Sequence, residues 1–413
     1  METQFMIEKK PEMPPELLSK EFLKQFKTEE DISKFFKDLH SQVLEQMLQG
    51  EMDAHLGYEK HEVAGHNTGN SRNGSFPKTI QTEHGESTIR IPRDRNGVFE
   101  PVIVPKHQSR GLSIEKLVIS LYAKGMSVSD IEEELRNIYE INLSGSSISI
   151  ITNKVIQAAQ EWQNRPLERQ YLIVWMDGII FKSRDGGKVI NKTVYICVGL
   201  PKTGKKEVLG LWVGKTESAS FWMSVLTDLK ARGVEDILIT CTDNLNGFTD
   251  TIRSVFPEAA TQVCVVHQIR NSCRYVTYKD LKVFTADLKT IYGAVNKEAA
   301  ALALDAFEEK WDSKYRYAVR SWRTNWDELT TFFDYPVEIR KIIYTTNIIE
   351  NLNSKIRKYT KAKLSFPNDD ALKKSVYLAI TEIEKKWIMP IRNWAVVLNQ
   401  FITIFEDRVL LQL

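Results

Sequence analysis

Tyr171-Leu172-Ile173-Val174-Trp175-Met176-Asp177-Gly178-Ile179-Ile180-Phe181 is the stretch that decides the fold. It is apolar almost without interruption up to Asp177, the pattern of a strand buried on both faces. Working outward from it, residues 193–200 and 207–213 read as two further strands joined through the hairpin-type turn Pro201-Lys202-Thr203-Gly204. Residues 218–232 read as a helix ending at Gly233, 237–242 as a strand, 247–256 as a helix and 262–266 as a fifth strand. The resulting order is strand, strand, strand, helix, strand, helix, strand. The centre of the chain is therefore α/β, with a mixed five-stranded sheet and helices.

On the C-terminal side the period changes. Residues 278–344 are helical and aromatic, with Trp311, Trp322, Trp326, Phe332 and Phe333, and a further helix begins near Asn347. Core packing is the default use of these tryptophans; stacking of a base on Trp322 or Trp326 is the alternative. On the N-terminal side, residues 28–56 place Ile32, Phe35, Phe36, Leu39, Val43, Leu44, Met47 and Leu48 at helical spacing. Residues 57–85, rich in Gly, Asn, His and Ser, read as loop, with His55, His61 and His66 solvated. Residues 87–92 and 102–105 read as short strands around a polar turn at 93–97. Three helices then follow: 114–124 ending at Gly125, a second from the Ser127–Asp130 N-cap region to 139, and a third from 144–147 towards 161. Their spacing suits a helix-turn-helix and equally a plain three-helix bundle.

A chain of 413 residues exceeds one ordinary core. The expected parts are a flexible leader (1–27), a helix with a small β/loop region (28–110), a helix-turn-helix-like region (111–165), a main α/β domain (170–270 with 345–413) and a helical insertion (271–344). Basic residues number 56 and acidic residues 54, so a nucleic-acid surface has to come from local segregation of charge. No signal peptide and no membrane-length apolar run is evident. Cys197, Cys241, Cys264 and Cys273 are too few for a disulfide framework in a chain of this length, which favours a reducing cytoplasm.

Three acids stand out. Asp177 and Asp243 each end an apolar run, where a carboxylate is poorly solvated unless a cation sits beside it. Neighbouring strands ending together would bring the two within a few ångströms, an arrangement that suits a hard cation such as Mg²⁺; a turn-capping role is the alternative for each. Glu350 lies off the apolar stripe of its helix (Ile349, Leu352, Ile356, Tyr359), on a polar face with Asn353, Ser354, Arg357 and Lys361. It is the single acid among Arg340, Lys341, Lys355, Arg357, Lys358, Lys361 and Lys363, a surface suited to phosphates. A capping box between Asn347 and Glu350 competes with a metal-binding role. Cys264-x-x-His267 is half of a zinc spacing, and His267, placed at a strand end, is more simply a polar neighbour of the site.

Several ordered strings carry a resemblance. They are Ser71-Arg72-Asn73-Gly74, Pro92-Arg93-Asp94-Arg95 with Phe99-Glu100-Pro101, and Leu121-Tyr122-Ala123-Lys124-Gly125-Met126. Further on come Trp175-Met176-Asp177-Gly178-Ile179, Leu209-Gly210-Leu211-Trp212, Cys264-Val265-Val266-His267-Gln268-Ile269-Arg270-Asn271 and Tyr344-Thr345-Thr346-Asn347-Ile348-Ile349-Glu350. Over nearly its whole length the chain resembles the mutator-type transposases of bacterial insertion sequences. The resemblance implies an RNase-H-like core interrupted by a helical insertion between the second Asp and the Glu. It also implies a DDE triad at Asp177, Asp243 and Glu350, with Cys264 and His267 as active-site neighbours. Two Mg²⁺ ions, replaceable by Mn²⁺, would serve DNA nicking and strand transfer. Expected partners are double-stranded DNA with terminal inverted repeats and a homodimer or higher multimer in a synaptic complex, in the bacterial cytoplasm at the nucleoid. Arg270, Asn271, Asn347, Asn353, Lys355, Arg357, Lys358 and Lys361 are the expected DNA contacts. The sequence departs from the family pattern at Asn244, where Gly is expected, and at Asn351, where a small residue is commoner. A nuclease without strand transfer and a catalytically silent DNA-binding protein are the alternatives.

Overall fold

A computed structural model of the chain describes residues 19–63, 68–82, 85–105, 112–139, 141–215, 218–344 and 346–409. Most of the expected leader and His66 lie outside them. The chain divides into two compact units: Met1–Ser120 with Val128–Ile148, and Leu121–Ser127 with Ser149–Leu413.

In the first unit, Ser19 caps a short helix α1 (Lys20–Leu23), and Thr28 forms a capping box with Asp31 at the start of α2 (Glu29–Leu56). The last part of the expected leader is thus folded: Phe22 and Phe26 meet the Phe35 ring edge-on at 5.3 and 5.2 Å. Residues expected as loop contain a strand, β1 (Arg72–Thr82), antiparallel to β2 (Gly85–Asp94). Pro77 and the Arg72–Gly74 bulge disguise β1 in the sequence, because a two-stranded ribbon tolerates both. Leu48 packs against Ile80, Ile89, Ile91 and Val104. Residues 102–104 are a bend and not the strand their β-branched content suggested. The three expected helices form as α3 (Leu112–Ala123), α4 (Val128–Tyr139) and α5 (Gly145–Gln163). Both α3 and α5 run from one unit into the other.

The second unit holds a five-stranded mixed sheet. Its strands are β3 (Gln170–Asp185), β4 (Lys188–Leu200), β5 (Glu207–Gly214), β6 (Asp236–Thr242) and β7 (Ala260–Val263), in spatial order β5-β4-β3-β6-β7. The first three pair antiparallel, and β6 and β7 add in parallel. Residues 171–176 are completely buried, as an interior strand requires. Alternation along β4 sends Val194, Ile196, Val198 and Leu200 into one core and Tyr195 and Cys197 into the other. The latter face is covered by α6 (Ala219–Ala231) and α7 (Phe248–Val255) through Trp222, Leu226, Phe248 and Ile252.

The fifth strand is shorter than its apolar content suggested. It stops at Val263, and α8 (Val265–Cys273) begins at once, so Val265 and Val266 are helical and His267 lies on a helix. The helices α9 (Tyr278–Tyr292), α10 (Lys297–Thr324), α11 (Trp326–Thr330) and α12 (Val337–Ile343) follow. Next come α13 (Asn347–Thr360), α14 (Asp369–Glu384) and α15 (Trp394–Phe405). Trp311, Trp322 and Phe332 share one core with Ile196 and Val198 of the sheet, so the helical stretch packs directly on it.

Candidate active site

Strand register brings the first two acids together. Asp177 is not at a strand end: β3 runs on to Asp185, paired with β4 and with Asp177 opposite Ile196. The partner that does end is β6. Its parallel register matches Trp175 with Cys241, and two more residues of the same register set Asp177 level with Asp243, just past the end of β6. Adjacent strands lie about 4.8 Å apart, which leaves a carboxylate pair side by side where β6 ends. The third acid arrives from α13, whose apolar residues Ile349, Leu352 and Ile356 are fully buried and turn Glu350 towards the same place.

Asp177, Asp243 and Glu350 line one open cleft of about 680 Å³ with Asn244, His267, Arg270, Asn271, Arg274, Asn353, Ser354 and Arg357 among its other walls. The capping-box reading of Glu350 does not hold. Thr346, not Asn347, is the N-cap, and the Glu350 carboxylate lies 3.1 Å from His267 Nε2 and accepts from Arg270 Nη2 at 3.4 Å. On its other side His267 Nδ1 is against Asp243 Oδ1. His267 therefore bridges two of the acids. The bond to Asp243, reinforced by Cys264, outweighs burial and pushes the imidazole up to about 10, so it is protonated at neutral pH.

Asp177 is held differently. Its Oδ2 accepts from Asn353 Nδ2 at 2.6 Å, and its Oδ1 accepts from the Gly178 backbone N–H at 2.7 Å. Asn353 is only 9% exposed, and its Oδ1 has no hydrogen-bond partner. Behind the cleft, Cys264 is buried and accepts from Thr346 Oγ1 at 3.2 Å. Burial pushes its thiol up, but the hydrogen bonds from His267 and Thr346 prevail and leave it below its usual value.

Donor chemistry suits a hard divalent cation. Three carboxylates and the unpartnered Asn353 oxygen offer oxygen donors to one open cleft, and the acids lie close enough to draw a protonated imidazole between two of them. Asp243, Cys264 and His267 also form a compact trio, their donor atoms within 4.8 Å of one another. That trio shares Asp243 with the carboxylate set.

The expected DNA contacts separate into two groups. Arg270, Asn271, Asn353 and Arg357 line the cleft, although the Asn353 amide is engaged with Asp177. Asn347, Lys355, Lys358 and Lys361 are exposed outside its lining. Ser354, read from the sequence as part of the polar face of Glu350, also lines the cleft, whereas Arg274 and Gln268 were not anticipated. Once 265–273 is a helix, His267, Arg270, Asn271 and Arg274 follow one face at spacings of three, four and seven. Reading 262–266 as strand hid that phase. Gln268, on the reverse side of α8, is 1% exposed; its Oε1 accepts from Asn244 Nδ2 at 3.2 Å and its Nε2 donates to Ser321 Oγ at 2.8 Å. The residue standing where Gly was expected thus anchors the loop after Asp243, through Gln268, to α10. Exposed Asn351 makes no such bridge. Two other strings of the resemblance are structural: Arg72 pairs with Asp53, and Asp94 accepts from Asn70 and from the Val98 and Phe99 amides.

A mixed sheet and its packed helices that together bring three carboxylates and three guanidinium groups to one cleft define an α/β protein whose centre is compatible with both cations and phosphate. Residues 13–390 match the family described as "Transposase, Mutator family", and the chain belongs to that family. It is 42% identical over 398 residues to a probable transposase for insertion sequence element ISRM3-like of Sinorhizobium fredii, covering 95% of this chain and 99% of that one. The ISRM3 transposase of Rhizobium meliloti shows the same identity and coverage. The IS905 transposase of Lactococcus lactis is 35% identical over 354 residues, covering 86% of this chain and 90% of the relative. A simian T-cell lymphotropic virus intasome structure aligns with 51% of this chain and 68% of that one at 13% identity, with a TM-score of 0.17 that is too low to bear on the fold. No helix among the described residues is long and apolar enough to cross a membrane.

Proposed function

We propose that this chain is a DNA transposase that binds the terminal inverted repeats of an insertion sequence and catalyses metal-dependent strand cleavage and strand transfer. The observation that carries the reading is the meeting of Asp177, Asp243 and Glu350, from three separate elements, in a cleft walled by Arg270, Arg274 and Arg357. In this reading residues 170–270 and 345–413 make an RNase-H-like catalytic domain, 271–344 its helical insertion, and 111–165 the region that reads the element ends. A homodimer or larger assembly would hold two ends together.

Asp177, Asp243 and Glu350, with Asp177 shared, would hold Mg²⁺ or Mn²⁺. Two such ions, when bound, would supply activation of water or a DNA 3′-hydroxyl and stabilisation of the leaving oxygen in an in-line displacement. The remaining work falls to the chain itself. Asn353 and the Gly178 amide fix the Asp177 carboxylate in one rotamer. His267 orients Asp243 and Glu350 from between them. Arg270, Arg274 and Arg357 neutralise phosphates and set the strand's register in the cleft. Gln268 and Asn244 keep the Asp243 loop from drifting.

Incubation with element-end DNA and Mg²⁺ or Mn²⁺ tests the proposal. Nicking followed by joining of the 3′ end to a second DNA is expected. Nicking alone marks an RNase-H-like nuclease, and binding alone marks a catalytically silent DNA-binding protein.

A further inference from the structure

Trp322 is 1% exposed, with its indole N–H donating to Ser272 Oγ at 3.0 Å, and Trp326 packs against the core. The exposed aromatic surface lies elsewhere. Tyr275, just beyond α8, is 61% exposed and Tyr317, on α10, is 78% exposed; their rings stack with centroids 6.2 Å apart and planes 26° from parallel. Burial of a tyrosine ring is favourable, so two large rings left in solvent against each other form an unusual surface.

Its position gives it a use. Arg274, which lines the cleft, is the chain neighbour of Tyr275, so the tyrosine pair starts one residue beyond the cleft wall. Arg316 and Arg320 flank Tyr317 on α10, and both are exposed. Aromatic faces interleaved with cations at the edge of a phosphate-binding cleft match the chemistry of unpaired nucleotides: guanidinium groups neutralise the backbone while a ring receives a base. A base in the interior of a duplex is stacked on both faces and presents none to such a platform.

Resting on the reading of the cleft as a DNA-binding centre, we infer that Tyr275 and Tyr317 form a stacking platform for an unpaired base of the DNA strand that leaves the cleft. The outer ring face takes the base, and Arg274, Arg316 and Arg320 take the adjoining phosphates. The tyrosines hold single-stranded DNA beside the scissile position and take no part in the chemistry.

The test uses the full chain, a blunt DNA duplex, and the same duplex with a short single-stranded extension carrying 2-aminopurine, whose fluorescence is quenched on stacking. Wild-type protein binds the extended DNA more tightly and quenches the probe. Tyr275→Ala and Tyr317→Ala are each expected to weaken binding of the extended DNA by about tenfold and to restore fluorescence, with blunt-duplex affinity unchanged. Tyr317→Phe, which keeps the ring, should behave as wild type. Equal binding of extended DNA by wild type and the double alanine variant would overturn the inference, as would a parallel loss of blunt-duplex binding. An Arg270→Ala, Arg357→Ala variant separates this from the cleft assignment. If it binds both DNAs as wild type does while the tyrosine variants lose extended DNA, the cleft reading fails and the platform stands.

Discussion

Replacing Asn353 with leucine should uncouple metal binding from stability. The substitution nearly conserves side-chain size at a position 9% exposed, and it removes the Nδ2 donor that meets Asp177 Oδ2 at 2.6 Å. A hydrogen bond to a charged group contributes roughly 1.5–3 kcal/mol. Loss of a residue that orients a metal ligand typically costs about 10- to 100-fold in affinity, or roughly 1.4–2.7 kcal/mol. The two figures agree, so Mn²⁺ affinity should fall by about 10- to 100-fold. Folding stability should respond much less. The wild-type amide also carries a buried oxygen without a partner, a burden of roughly 1–3 kcal/mol that leucine removes. Titration calorimetry with Mn²⁺, together with thermal melting of the metal-free protein, reads both quantities. A Mn²⁺ affinity within twofold of wild type would refute the positioning role, and a collapse of the melting temperature would show that Asn353 chiefly supports the fold.

Gln268→Ala should cost about 2–3 kcal/mol in urea unfolding, because Asn244 and Ser321 both lose a partner, and it should lower the turnover of DNA nicking more than it weakens DNA binding. Equal effects on turnover and binding would argue against an ordered Asp243 loop. Gly125→Ala should destabilise the chain by at least about 2 kcal/mol, since φ is 101° and an added Cβ would collide with the Tyr359 carbonyl; a melting temperature unchanged within a degree would contradict that packing. Asp94 should make stability depend on acid. Burial raises its carboxyl, but bonds from Asn70 and the Phe99 and Val98 amides prevail and hold it at about 2, below the ordinary 3.8. A depressed folded value means the contribution is complete above pH 4 and is lost as pH falls towards 2. Asp94→Asn should be less stable at pH 6 and should lose the steepness of that acid transition in a pH-jump denaturation series.

The sheet was legible because a buried strand declares itself by composition, as at 171–176, and because turns such as Pro201–Gly204 punctuate it. Ends were less legible. Val265 and Val266 favour a strand by local propensity, yet packing continues them as helix, and that single error concealed the phase uniting His267, Arg270 and Arg274. The strand β1 was hidden by Gly74 and Pro77 for the opposite reason, local residues disfavouring what a two-stranded ribbon permits. Asp177 and Asp243 were found by their places in apolar runs. What no single sequence encodes visibly is the lateral register that sets them level, or the reach of Asn353 to Asp177 from 176 positions away. Glu350 was ambiguous in sequence because Asn347 spaces correctly for a capping box; the helix begins one residue earlier and leaves its carboxylate to His267.

The most direct measurement is single-turnover nicking and joining of element-end DNA in Mg²⁺ and in Mn²⁺ by wild type, Asp177→Asn, Asp243→Asn and Glu350→Gln. Each neutralised carboxylate should lower both steps by at least about 10³-fold, roughly 4 kcal/mol of barrier, while DNA binding stays within a few-fold of wild type. Retention of full joining activity by any one of the three variants would contradict the assignment of that carboxylate to the metal centre.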